Sequence, residues 1–154
     1  MLLGKDISKF TVRIIELYPR NILFIKKLCL HIIEHLSLKK RNELLLLHNS
    51  IVKGFSDPDI LNRFFSVYVL VYLNNSTIRE ECFKLLLTFL NDSNPLIRRL
   101  SMIVLVYYIK EHNIVIGEEL LKVVRNFLND PHPLAFSSAL FFLSEVRVNS
   151  KLVT

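Results

Sequence analysis

Apolar residues recur at steps of three and four over Ile22, Ile25, Cys29, Ile32, Ile33 and Leu36, with polar residues between them. That is the period of one helix face, and it predicts a helix over this stretch. Asn21 stands where an accepting side chain caps a helix start. Pro19 separates this helix from an earlier one over about Asp6–Leu17. A third is predicted over about Lys40–Phe55, and Asp57-Pro58 ends it and opens a fourth that runs to about Leu73. Thr77 with Glu80 has the spacing of a capping box for a fifth. Asn94-Pro95 opens a sixth, with proline in the first turn, where its missing N–H costs little. Gly117 precedes a seventh, and the stretch from Asp130 to Pro133 separates it from an eighth.

A second pattern overlies the first. The runs FFSVYVLVYL, LSMIVLVYYI and SSALFFLSEV are apolar nearly all round. Their β-branched and aromatic residues also suit strands. Proline-capped starts and lengths above about ten residues favour helix. A helix apolar on every side has to be covered on every side, and the short loops make neighbouring helices antiparallel.

The chain repeats itself. FSDPDILNRFFSVYVL from Phe55, LNDSNPLIRRLSMIVL from Leu90 and LNDPHPLAFSSALFFL from Leu128 align without gaps. Asp57, Asp92 and Asp130 share one column, spaced 92 − 57 = 35 and 130 − 92 = 38. Leu61, Leu96 and Leu134 share another, and Ser66, Ser101 and Ala139 a third. Each column has an expected role. The Asp carboxylate caps the N–H groups of the following helix, Pro95 and Pro133 preset the backbone of its first turn, and the Leu plugs the corner into the core. The small residue allows close helix approach. Arg63 and Arg98 share a column from which each could reach the Asp of the next repeat. The period suits a helix-turn-helix repeat of the HEAT class. The expected fold is therefore all-α: an α–α superhelix, HEAT- or armadillo-like, of about four antiparallel helix pairs in a single domain, residues 1–154.

Composition adds limits. The chain has 154 residues, 51% of them hydrophobic, and three glycines, which favours long ordered helices over a disordered tail. Cys29 and Cys82 each lie within an apolar helical pattern, and two lone cysteines make neither a disulfide framework nor a metal knuckle; buried free thiols in a reducing compartment are expected. MLLGKDISKF lacks the apolar core of a signal peptide. The apolar stretches Phe64–Leu73 and Met102–Ile109 fall short of the roughly 20 residues that span a bilayer. Membrane contact, if any, is expected to be peripheral.

The net charge of +6 suits an acidic partner, but the basic residues are spread along the chain. Short clusters occur at Lys26-Lys27, on the polar side of the second helix, and at Lys39-Lys40-Arg41 in the turn after it. Both are candidate contacts for anionic headgroups or a partner surface, worth about 1 kcal/mol per charge near a membrane. A solvated face is the plainer reading. No dense basic stripe or stacking motif supports nucleic-acid binding, and none is expected.

No catalytic constellation is visible. Three glycines leave no phosphate-cradling loop and no nucleophile elbow. His31 and His35 have metal-ligand spacing without a thiol or carboxylate to complete a site. Glu80-Glu81 and Glu118-Glu119 lie at helix starts, where acids suit the macrodipole. No enzyme activity, cofactor or metal is expected.

In this order, the motifs resemble those of the adaptins, the large subunits of vesicle-coat adaptor complexes. The resemblance rests on Lys26-Lys27-Leu28, then Asn49-Ser50-Ile51-Val52-Lys53, then Asp57-Pro58-Asp59-Ile60-Leu61-Asn62-Arg63. It continues through Asn94-Pro95-Leu96-Ile97-Arg98 and Asp130-Pro131-His132-Pro133-Leu134 to Leu143-Ser144-Glu145-Val146. The pattern is similar to the N-terminal trunk of the beta type, and Gly4-Lys5 with Ser8 to that of the third adaptor complex. It covers nearly the whole chain. Two features depart from it: Phe136 stands in the Arg column, and family members are several times longer, so the chain reads as a fragment or a reduced relative.

The resemblance implies a scaffold in intracellular protein transport, cytoplasmic and peripheral on Golgi or endosomal membranes or coated vesicles. Implied partners are the medium, small and second large adaptor subunits, cargo tails, a small GTPase and an anionic membrane surface. Binding functions of a hinge or ear domain do not carry over. The competing readings are a coatomer or karyopherin-like helical-repeat transport factor and, in another class, a basic solenoid on nucleic acid.

Overall fold

The computed structural model describes residues 11–18, 22–37, 48–73 and 79–146. Several expectations fall outside them: the caps at Asn21 and Thr77, the beginnings of the first and third helices, and the Lys39-Lys40-Arg41 cluster. All regular structure among the described residues is helical, as the periodicity predicts. The elements are α1 (Thr11–Leu17), α2 (Leu23–Ser37), α3 (His48–Phe55), α4 (Ile60–Val69) with a 3-10 turn at Leu70–Tyr72, α5 (Arg79–Phe89), α6 (Pro95–His112), α7 (Glu118–Leu128) and α8 (Pro133–Glu145). The β-branched runs that could have been strands lie in α4 and its 3-10 turn, and in α6.

The chain divides into two compact units, Met1–Glu80 and Glu81–Thr154. In the first, α1 packs on α2 and α3 on α4, while α2 touches α4. Tyr18, Ile33, Ile51, Val67 and Leu70 fill its core. In the second, α8 packs on both α6 and α7. Its core holds Leu86, Ile97, Met102, Leu105, Ala139 and Phe142. Phe83 of α5 stacks on Tyr108 of α6 at 5.9 Å between ring centres.

The repeated corners share one wiring, and it differs from the expected one. Asp57, Asp92 and Asp130 each accept, through Oδ1, the backbone N–H two residues on, at 2.8 Å. The carboxylate therefore braces the turn, and the residue it braces caps the helix. Asp59 and Asn94 accept the N–H of Leu61 and Leu96 at 2.9 Å, and His132 accepts that of Leu134 through Nδ1 at 3.3 Å. Such local side-chain bonds are what favour these residue types in turns. Pro95 and Pro133 occupy the first helical positions, as expected.

The leucine column does not plug the core. Leu61 and Leu96 are 45% and 48% exposed, whereas the next column, Asn62, Ile97 and Ala135, is buried. The reason is helical register. Positions 62, 66 and 69 form a buried stripe at i, i+4 and i+7, as do 97, 101 and 104, and 135, 139 and 142. Each leucine sits about 100° of helical rotation before that stripe.

The small-residue column behaves as expected. Ser66 and Ser101 are buried, and their hydroxyls donate to the carbonyls of Asn62 and Ile97 at 2.9 Å. A Cβ on Gly54 of α3 would lie 2.0 Å from Ser66 Oγ. Helix propensity favours alanine over glycine by up to ~1 kcal/mol, but overpacking a tight contact costs about 1–3 kcal/mol. Gly54→Ala is therefore expected to lower stability in urea unfolding, and adding Ser66→Ala to restore much of the loss.

The all-round apolar helices are not covered on every side. Phe136, Leu140 and Leu143 line an exposed stripe of α8, although the register equivalents of the two leucines, Met102 and Leu105 in α6 and Val67 and Leu70 in the first unit, are buried. Helix α6 ends at Asn113 in the left-handed conformation (φ 51°), whose N–H closes on Ile109, a position asparagine tolerates.

Both thiols are free and buried. Burial first, and then the nearby Glu81 charge, push the Cys82 thiol up to about 11 from 9.0. A raised acid binds its proton more tightly folded than unfolded. Its contribution is fully present below pH 9 and is lost as pH rises through about 11. Cys82→Ala is expected to flatten the alkaline fall in stability over that window, measured by denaturant midpoints against pH.

Candidate partner-binding surfaces

Of the basic candidates in α2, the structure separates two neighbours. Lys27 is exposed; Lys26 is 6% exposed. This corrects the reading of both on a polar face. The inward stripe of α2 is Lys26, Cys29, Leu30 and Ile33, at i, i+3, i+4 and i+7, while Ile22, counted on the apolar face from sequence, is exposed. Lys26 Nζ donates to Asn62 Oδ1 of α4. It also lies 5.6 Å from the ring centre of Tyr18 and 6.0 Å from that of Phe65, within cation–π range. Asn62 in turn donates to Asp57 Oδ2 at 2.8 Å. Burial lowers the Lys26 ammonium pKa from its ordinary value, and the carboxylates of Asp57 and Asp59 oppose that shift. Lys26 is therefore a buried tie between α2 and the first corner and presents nothing to a membrane. Asn62, Tyr18 and Phe65 gave no sequence signal for this role.

The arginine column also serves the corners. Arg63 Nη1 donates to the carbonyls of Asp57 and Pro58 at 3.0 and 3.1 Å, and Arg98 Nη1 to those of Asp92 and Ser93 at 3.0 Å. Arg98 has a further, expected partner in the next repeat. Its Nε and Nη2 form a two-pronged pair with Asp130 at 2.9 and 3.0 Å, with side chains 17% and 13% exposed. At α8 the same column holds Phe136, which carries no such donor.

Between α2 and α4, Lys27, Leu30, His31, Glu34, Phe64 and Tyr68 line an open notch of about 270 Å³. Phe64 and Tyr68 are nearly parallel, 8° apart, with ring centres at 6.4 Å. His31 Nδ1 lies 3.7 Å from Glu34. The Tyr72 hydroxyl meets that of Tyr68 at 3.3 Å; burial, the Tyr68 hydroxyl and Glu34 raise its pKa above the ordinary phenol range.

Among the described residues no group of three His, Cys, Asp or Glu side chains is placed to hold a metal ion. No helix among them is long and apolar enough to cross a membrane. The motif for the adaptin N terminal region matches the chain over residues 1–154. A comparison with curated proteins finds no match.

Proposed function

The chain belongs to the adaptin family, a family of vesicle-coat adaptors in membrane trafficking, and from that membership we propose that it acts as a scaffold subunit of an adaptor complex. The match over its full length carries the reading. The corner chemistry supports it: in the second unit the two-pronged Arg98–Asp130 contact ties one repeat to the next, as a helical-repeat scaffold requires. On this reading the chain binds a medium, a small and a second large adaptor subunit. It sits peripherally on the cytoplasmic side of Golgi or endosomal membranes or coated vesicles, where a small GTPase, cargo tails and anionic lipid are its further contacts. Its sequence resemblance to the beta type supports reading it as the beta-type large subunit. It transmits position and binding; no chemical step is assigned to it.

The test is affinity purification of the tagged chain from its own cells with quantitative mass spectrometry. Stoichiometric recovery of a medium and a small adaptor subunit is the expected result. Recovery of neither, from an extract in which both are detected, would refute the proposal.

A further inference from the structure

We propose that the exposed stripe of α8, Phe136, Leu140 and Leu143, is a self-association face on which a second copy of this chain seats its own α8. The three side chains are 40%, 48% and 42% exposed. Their spacing, i, i+4 and i+7, is that of the seam between two packed helices. One repeat earlier the same positions are Arg98, Met102 and Leu105 of α6. There Met102 and Leu105 are wholly buried, Arg98 reaches Asp130 at the next corner, and α8 packs on α6. The following hairpin thus covers that stripe, whereas the equivalent stripe of α8 is open.

Two features favour a second copy over a further repeat or an unrelated helix. A further repeat of this kind brings an aspartate to its corner, as at Asp57, Asp92 and Asp130. Arg98 answers Asp130 with two donors, but Phe136 holds the arginine's place in α8 and would leave such a carboxylate shielded and unpaired, which is costly. The second feature is charge. No charged residue occurs from Pro133 to Ser144, and Ser137 and Ser144 stand exposed beside the stripe. Charges flanking a helix seam normally choose among partners. Without them the face meets its own copy with no local repulsion, although the chain carries +6 overall. Leu140 lies near the middle of the stripe. An antiparallel pair about a twofold axis sets it against Leu140 of the partner subunit, and Phe136 against Leu143 of the partner subunit. Such pairing closes at two copies. It is separate from the coat-assembly reading and needs no other adaptor subunit.

The test is sedimentation velocity of the purified full chain over a concentration series of about 1–100 μM, the range expected of a small interface. A reversible shift from one chain mass to two is the expected result. Leu140→Glu sets two carboxylates against each other at the axis and is expected to weaken pairing about tenfold or more. Phe136→Arg, which gives α8 the residue of the two earlier repeats, is expected to do the same. Val115→Glu places the same charge at an apolar residue, 84% exposed, in the α6–α7 loop and is expected to leave pairing unchanged. All three positions are exposed, and circular dichroism checks that each variant folds. A single chain mass throughout the series overturns the proposal. So does pairing indifferent to Leu140→Glu, or weakened equally by Val115→Glu. A chain that stays monomeric and recovers adaptor subunits from cells only with Leu140 intact also overturns it, in favour of a subunit as the occupant. Absence of pairing with those subunits still recovered removes this face alone, and the reverse result removes the scaffold reading alone.

Discussion

Arg98→Ala is expected to cost about 2 kcal/mol or more of unfolding free energy, between the values for an exposed ion pair and a fully buried one. An exposed pair contributes only about 0–1 kcal/mol, so burial sets the magnitude. Both side chains are mostly shielded, at 17% and 13% exposure. The substitution leaves the Asp130 carboxylate without two donors and the carbonyls of Asp92 and Ser93 without a third. Asp130 keeps the His132 N–H, so the turn itself survives. Arg98→Lys is expected to recover less than half of the loss, because an ammonium cannot make the two-pronged contact and reach both carbonyls as well. Urea unfolding measures these values. A loss below about 1 kcal/mol would show that the pair behaves as a surface contact.

The second large effect is conditional. Asp57→Ala removes the acceptor of Asn62, the brace on the Asp59 N–H and a carboxylate that favours the buried Lys26 ammonium. A loss of about 3–5 kcal/mol is expected, because a buried charge is left poorly compensated. Lys26→Met keeps the length of the stem and removes the charge, and alone it is expected to cost about 1–3 kcal/mol, because the buried Asn62 Oδ1 loses its donor. In that background Asp57→Ala should cost at least about 1 kcal/mol less, the coupling typical of residues that share a network. Equal losses in both backgrounds would mean that Asp57 acts through the turn alone. The Lys26 shift has a pH signature with a definite sign. A lowered ammonium pKa means that the unfolded chain binds more protons between the folded value and the ordinary lysine value. Stability from this group therefore rises with pH across that window, and Lys26→Met abolishes the rise.

The sequence made the helices and the corners legible because their causes are local. Asp92, Asn94 and Pro95 act within a few residues of one another, so spacing alone exposes them. It misjudged quantities fixed by helix rotation. The leucine column looked like core because it recurs, yet a one-residue step sets it apart from the stripe that starts at Asn62, Ile97 and Ala135. Lys26 was misplaced for the same reason: its charge argued for solvent, and only the packing of α2 on α4, with Asn62 waiting there, made burial tolerable. The aromatic notch was invisible because Phe64 and Tyr68 meet Lys27 and His31 only through the fold. Arg98 to Asp130 was foreseeable, since the repeat supplied the register.

The wiring of the corners also has a kinetic consequence. Their bonds span two to six residues: Asp57 to Asp59, Asn62 and Arg63, Asp92 to Asn94 and Arg98, and Asp130 to His132. Contacts this short lose little loop-closure entropy, so each bend can form before distant helices meet. Folding is then expected to nucleate at the bends, with the Arg98–Asp130 pair closing late. Damage at a bend slows refolding, whereas loss of that pair chiefly hastens unfolding.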